Sequence, residues 1–350
     1  MLKKIFGVVL ATATVFSLVA CGNANVGTQT GATEVVSASE FKVGMVTSVG
    51  GVNDGSYSQS AWEGLTKAQK ELGVQTTYIE SRTDSDYATN IETLVDEEYD
   101  VIMGVGFQLA DAIAQAAKAY PDQKFVIIDD STYADLPNLA CLMFEQAQAS
   151  YLVGYIAGMT TETDNVGFVL GMVSPVMHEF GYGYAAGVLA ANPNAKIQMA
   201  NANSFVDPAI GRSIATSMIT EGADVIFHAA AGTGLGVIEV CKESGVKAIG
   251  VDFDQNYLAP ETVITSALKQ VNEVAYIVCE QVINDEFKTG ITVYDLSNEG
   301  VGYADCDLIS DEVRTAVEDV KTKILSGEIV VPKTQDDFEA VCGDGVYTLD

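Results

Sequence analysis

The chain has 350 residues, enough for two domains, and 48% of them are hydrophobic, ample for buried cores. Its formal net charge of −30 at pH 7 argues against nucleic acid and anionic lipid headgroups as partners, because their phosphates would be repelled. Acidity on this scale otherwise describes a solvated surface and names no ligand.

In chain order, MLKK supplies a positive start and IFGVVLATATVFSLVA an apolar run. The run is short for a spanning helix and fits an export signal over residues 1–20. Leu18, Val19 and Ala20 stand directly before Cys21, the arrangement of a bacterial lipobox, where the thiol is acylated and the peptide is cut before it. Cys21 is therefore expected to carry lipid and to hold the protein on the extracytoplasmic face of the cell membrane. The stretch that follows, GNANVGTQTGATEVVSASE, is poor in aromatics and rich in small residues, so residues 21–39 read as a lipidated cysteine and a tether. As a coil the tether spans roughly 25 Å. No later segment has the length and unbroken apolarity of a transmembrane helix. The other cysteines, Cys141, Cys241, Cys279, Cys306 and Cys342, match no zinc spacing. Most are expected to be buried as small apolar residues, and one disulfide is possible.

From residue 41, short apolar strands alternate with helical patterns. VGMVTSV leads into GGVNDGSYSQSAWEG, which hands over to a helix; TTYIES, YDVIMGVG and KFVIIDD read as further strands, with helices NIETLVDEE and ADAIAQAAKAYP between them. That alternation predicts a parallel sheet covered on both faces. The pattern then recurs. Val43-Gly44-Met45-Val46 is echoed by Val166-Gly167-Phe168-Val169, Gly64 by Gly187, and Ile128-Asp129 by Val251-Asp252, each at an offset of 123. Asp100-Val101-Ile102 is echoed by Asp224-Val225-Ile226 at 124. Several matches in order at nearly constant spacing indicate two α/β lobes of one type.

Open parallel sheets bind ligands beyond the carboxyl ends of their strands, so two facing lobes place both sets of strand-end loops in one cleft. The repeat then pairs Tyr57 with Phe180 and Asp129 with Asp252 across the gap. Carboxylates accept hydrogen bonds from ligand hydroxyls, and aromatic rings stack on a flat ring; a nucleoside offers both, and a sugar is the alternative. Other readings stay open for each residue. Asp129 and Asp252 could cap helices, and Tyr57 and Phe180 could be core. Trp62 could be buried under the loop or touch ligand. Lys269 is either a solvated lysine or the one cation near a strand end, placed to meet a ribose oxygen while balancing Asp252. The run AAAGTGLG at 229–236 lacks the spacing of a dinucleotide fingerprint and reads as a loop giving close backbone approach to a small ligand. His178 and His228 form no metal motif, and no catalytic set can be assembled, so neither an enzyme nor a cofactor is expected.

With these residues in hand, the sequence resembles the basic membrane protein family of bacterial lipoproteins, which bind purine nucleosides for ABC importers. The likeness rests on GGVNDGSYSQSAWEG, KFVIIDD, the spacing Phe180–Gly183–Gly187, GADVIFHAAAGTGLGV, IGVDFDQ and TSALK. It implies a type I periplasmic-binding-protein fold: two doubly wound parallel-sheet lobes joined by three crossings, near residues 145–150, 269–272 and 290–296. The lobes would comprise 40–147 plus 271–292, and 148–270 plus 293–350. By the same resemblance Asp252 and Lys269 would hold the ribose with the Gly232 backbone, and Phe180 would stack on the base. Asp129, with the amides and hydroxyls of the opening loop, would read base edges. In that loop Asn53, Asp54, Ser58 and Gln59 would supply polar contacts, and Tyr57 or Trp62 a flat wall. The family pattern there looks like D-D-K-S-F-N-Q, from which Asn53 and Ser58 depart; that leaves the preferred base open. The expected partners are a purine nucleoside, an ABC permease and, through the lipid, a membrane, for a chain expected to be monomeric. A sugar or signal-molecule receptor of the same fold, a surface antigen and a nucleoside-processing enzyme are the competing classes.

Overall fold

A computed structural model of the protein describes residues 40–343; the signal, Cys21 and the tether lie outside the described residues. The first sheet begins with β1 (Lys42–Val49), α1 (Tyr57–Leu72), β2 (Gln75–Ser81) and α2 (Tyr87–Asp96). It continues with β3 (Val101–Val105), α3 (Ala110–Ala119), β4 (Lys124–Ile128) and β5 (Leu139–Phe144). After α4 (Gln146–Thr160) the same order starts again: β6 (Asn165–Leu170), α5 (Pro175–Ala191), β7 (Lys196–Asn201) and α6 (Pro208–Thr220). Then come β8 (Val225–Ala229), α7 (Ala231–Ser244), β9 (Lys247–Asp252) and β10 (Val263–Lys269). The chain ends with α8 (Val271–Ile283), β11 (Gly290–Tyr294), β12 (Val301–Tyr303), α9 (Asp311–Leu325) and α10 (Gln335–Cys342).

The strand orders are β11-β5-β4-β3-β1-β2 and β12-β10-β9-β8-β6-β7, so the second sheet repeats the first strand for strand. Pairing is parallel throughout both sheets except at β12, which runs antiparallel to β10, whereas β11 runs parallel to β5. The chain leaves the first sheet after Phe144, returns to it after Lys269, and passes again to the second between Tyr294 and Val301.

Alternation along each strand sends side chains to opposite faces. Val46, Ile102 and Phe125 pack with Ile91 and Leu94 of α2 and Ile113 of α3, while Met45, Met103 and Val126 pack in the cluster that holds Leu65 of α1 and Val278 of α8. The second sheet divides in the same way. Val169 and Ile226 meet Met218 of α6 and Val237 of α7, and Phe168 and Phe227 join Leu152 of α4 and Tyr184 of α5. Strands buried on both faces need near-continuous apolar runs, and these have them.

The repeated glycines seat helix on helix. A Cβ on Gly187 of α5 would run into the Tyr151 carbonyl of α4, and one on Gly64 of α1 into the Asn272 carbonyl of α8. Both crossing helices are thus seated backbone to backbone on their lobes. The five cysteines beyond the tether are free thiols, three of them buried, and the disulfide the sequence allowed does not form. Gly187→Val is expected to lower the unfolding free energy by about 1–3 kcal/mol or more through overpacking. Gly302→Ala, with nothing within 4 Å of the added carbon, should leave it nearly unchanged; urea denaturation of both variants checks this.

Candidate ligand cleft

β4 and β9 each end at an aspartate whose backbone turns left-handed: Asp129 has φ 69° and Asp252 φ 68°. Asp is among the few residues that enter this region at modest cost, and here the turn closes each strand on a carboxyl group. The two acids are withdrawn from water, 5% and 6% exposed, and neither caps a helix. Each meets a donor from the opposite lobe. Lys269, at the end of β10, places Nζ 2.5 Å from Asp129 Oδ2, and the Ser56 hydroxyl, in the loop after β1, donates to Asp252 Oδ2.

Both acids face one small cavity of about 60 Å³ between the lobes. Tyr57, Gly106, Phe107 and Asp129 line it from the first lobe. Phe180, Met177, Phe205 and Asp252 line it from the second, with Lys269 and the residues that open α7. The wall is therefore largely aromatic and apolar with two acids and one ammonium. That ammonium lies 5.2, 5.1 and 5.6 Å from the ring centroids of Tyr57, Phe144 and Phe180, so ring faces and one carboxylate together offset its desolvation.

Two buried polar groups of this wall are unanswered. Asp129 Oδ1 and the Tyr57 hydroxyl are buried without a hydrogen-bond partner among the described residues. Burial pushes the Asp252 carboxyl up to about 7, against the opposing pull of Lys269 and the Ser56 hydroxyl. The folded protein thus holds that proton more tightly than the unfolded chain does. The stability tied to it is complete below the ordinary 3.8 and is lost as pH rises through about 7. Burial, then the neighbouring Asp129, likewise holds the Tyr57 phenol well above its usual range. The free Asp129 oxygen accepts and the phenol both donates and accepts, a pair suited to a ligand that brings hydroxyl or amino groups.

The opening loop is arranged differently from the sequence expectation. Asp54 points back into its own chain: Oδ1 accepts from the amides of Ser56 and Gln59 at 3.0 and 3.1 Å, and Oδ2 from that of Ser58 at 2.8 Å. It satisfies the open N–H groups of the first turn of α1, the usual need of a helix start. Gln59 turns outward to Glu63, and Asn53 is exposed. Trp62 packs edge-on against Tyr78 of β2, ring centroids 4.8 Å apart. Asn53, Asp54, Ser58, Gln59 and Trp62 are thus not in the cavity wall, whereas Tyr57 is. Gly232 lies just behind the wall, under the Phe205 carbonyl. The AAAGTGLG run is not a loop: Ala231 already begins α7, and Gly234 leaves room for the His228 ring, which a Cβ would strike.

Sequence reasoning passed over Phe107, Phe205, Met177 and Ser56. Phe107 follows Gly106 at the end of β3, the place where strand-end logic points, and carried a findable signal. Phe205 lies between β7 and α6, and nothing local marks it. Ser56 reaches an acid 196 positions away, a contact with no sequence signature.

Comparison with known proteins agrees with this architecture. Residues 41–335 match the family model described as Bmp, ABC transporter substrate-binding protein PnrA-like. A protein named CD4+ T-cell-stimulating antigen from Listeria innocua is 38% identical, over 95% of this chain and 99% of that one. The ABC transporter nucleoside-binding protein BmpA of Lactococcus lactis is 36% identical, over 84% and 89%. Among solved structures, an ABC transporter solute-binding protein from Aeropyrum pernix superposes with a TM-score of 0.79 at 27% identity, covering 86% of this chain and 96% of that one. The chain therefore belongs to the Bmp family of PnrA-like ABC transporter substrate-binding proteins.

Proposed function

We propose that the chain captures purine nucleosides in the interlobe cleft and delivers them to an ABC importer, without catalysis, from a lipid anchor at Cys21. The observation that carries this reading is the pair of buried acids, Asp129 and Asp252, at equivalent strand ends of two lobes, in a cavity otherwise walled by aromatic rings. A ribose brings vicinal hydroxyls for Asp252, with Lys269 beside it. A purine brings a flat ring for Phe180 on one side and Phe107 or Tyr57 on the other, and edge donors for Asp129. The nucleoside-binding name of the Lactococcus lactis relative supports the same ligand class. Micromolar binding requires about 8 kcal/mol net, within reach of a few charged hydrogen bonds and two stacked faces after ordering costs. Phosphate finds no partner here, because Lys269 already answers Asp129.

Calorimetry should show inosine, guanosine or adenosine binding at micromolar Kd or better, with the monophosphates at least about a hundred-fold weaker. Tight monophosphate binding, or binding of free pentoses and hexoses in place of nucleosides, refutes the reading. Asp252→Asn should weaken inosine binding about ten- to a hundred-fold, the worth of one charged hydrogen bond. Ligand hydroxyls favour the ionised Asp252, so wild-type affinity should rise as pH increases through about 7, and Asp252→Asn should remove most of that slope. Glu179, which burial also lifts to about 7 but which lies outside the cavity wall, should leave the slope in place when changed to Gln. Radiolabelled palmitate should enter the wild type and not Cys21→Ala, which should appear in the medium; labelled Cys21→Ala would place the lipid elsewhere.

A further inference from the structure

The last residue of IGVDFDQ takes no part in the cavity wall, yet it is among the most constrained side chains in the second lobe. Gln255 is 0% exposed. Its own amide donates to the Ser266 hydroxyl at 3.0 Å, and its side-chain oxygen accepts from the Val251 amide at 2.9 Å. That bond fixes which end of the carboxamide is oxygen. The 3.1 Å contact from the same oxygen to His228 Nε2 then requires the imidazole to carry its proton on Nε2. Burial keeps His228 neutral, its pKa lowered to about 4, so this arrangement does not change at physiological pH. Three bonds within one lobe therefore aim the remaining group, the NH₂, in a single direction. It crosses the cleft and donates to the Gly55 carbonyl at 2.8 Å.

Gly55 belongs to the glycine-rich loop of the first lobe, and it receives a second contact from across the cleft. The Leu235 side chain of α7 lies against its α-carbon, close enough that an added Cβ would sit 3.1 Å from it. The next residue is Ser56, which donates to Asp252. The repeat has no counterpart on the other side: at an offset of 123 the place of Gln255 is taken by Thr132, whose hydroxyl turns to Asp130 in its own lobe.

We propose that Gln255 is a closure latch, a pre-aimed donor in the second lobe that captures the Gly55 carbonyl when the lobes meet and so slows ligand escape without touching ligand. This rests on reading the cleft as one that closes on its ligand, and it adds a positioning residue to that site. Because the bond exists only with the lobes together, it acts on the dissociation rate.

Gln255→Glu separates the latch from a structural role. The carboxylate keeps an acceptor for Val251 and His228 but turns a bare oxygen toward the Gly55 carbonyl. With inosine as probe, stopped-flow binding should show dissociation faster by about ten-fold, association unchanged, and full stoichiometry. Burying the new carboxyl group should lower the melting temperature without inosine, so the latch is read from the dissociation rate of the folded, fully binding variant. Small-angle scattering, with and without inosine, should show the variant more expanded than the wild type. A dissociation rate within two-fold of wild type together with an unchanged scattering profile overturns the latch, as does a loss confined to melting temperature and stoichiometry. Wild-type protein that ignores inosine refutes the nucleoside reading instead, and the latch is then judged on the scattering comparison without inosine. Should Gln255→Glu fail to fold, Leu235→Ala removes the apolar half of the same contact and should speed dissociation less but in the same direction; no increase overturns the proposal.

Discussion

Two carboxylates withdrawn from water govern this molecule. Asp129 and Asp252 end equivalent strands, and each finds its single strong donor on the lobe to which it does not belong. Burying an acid without a partner costs several kcal/mol, so neither lobe can present its strand-end acid to a dry cleft alone. Apposition of the lobes supplies Lys269 to one acid and Ser56 to the other. Asp129 Oδ1 and the phenol of Tyr57 stay unanswered among the described residues. The site is thus pre-organised to gain from donors, and the aromatic walls decide how flat the molecule bearing them must be.

Burial asymmetry reinforces that division of labour. Lys269 is 2% exposed and ringed by three aromatic faces, so its charge is committed locally. Asp252, lifted to about 7 by burial, accepts from the Ser56 hydroxyl and has no cation at hydrogen-bond distance among the described residues. Equivalent positions in a duplicated fold have come to differ through their neighbours.

Much of this was legible in the sequence because it is written in local, periodic terms. The 123-residue offset reflects two sheets of the same strand order, and it carried Asp129 and Asp252 to one cavity because equivalent strands end at equivalent heights. The glycine echo of Gly64 and Gly187 reflects one mode of helix seating used in both lobes. What could not be read is where side chains point within a loop. GGVNDGSYSQSAWEG looks uniformly like a binding loop, but a helix start needs acceptors, and Asp54 is consumed by that need. Trp62 turned to Tyr78 because the outer face of α1 has to cover an edge strand. AAAGTGLG resembled a ligand-approach loop; its alanines do line the cavity, but Gly234 makes room for the His228 ring and Gly236 for the start of α6. Gln255 has no local signal at all, since its meaning lies in an atom 200 positions away.

The strand orders carry a further consequence. Every passage of the chain between the sheets departs from β5, β10 or β11, all at one margin, while β2 and β7 form the opposite margin with no covalent link between them. Three tethers gathered on one side leave rotation as the cheap relative motion and make sliding expensive. The covalent spine thus runs along β11 and β12, and β2 and β7 form the untethered edges of the gap.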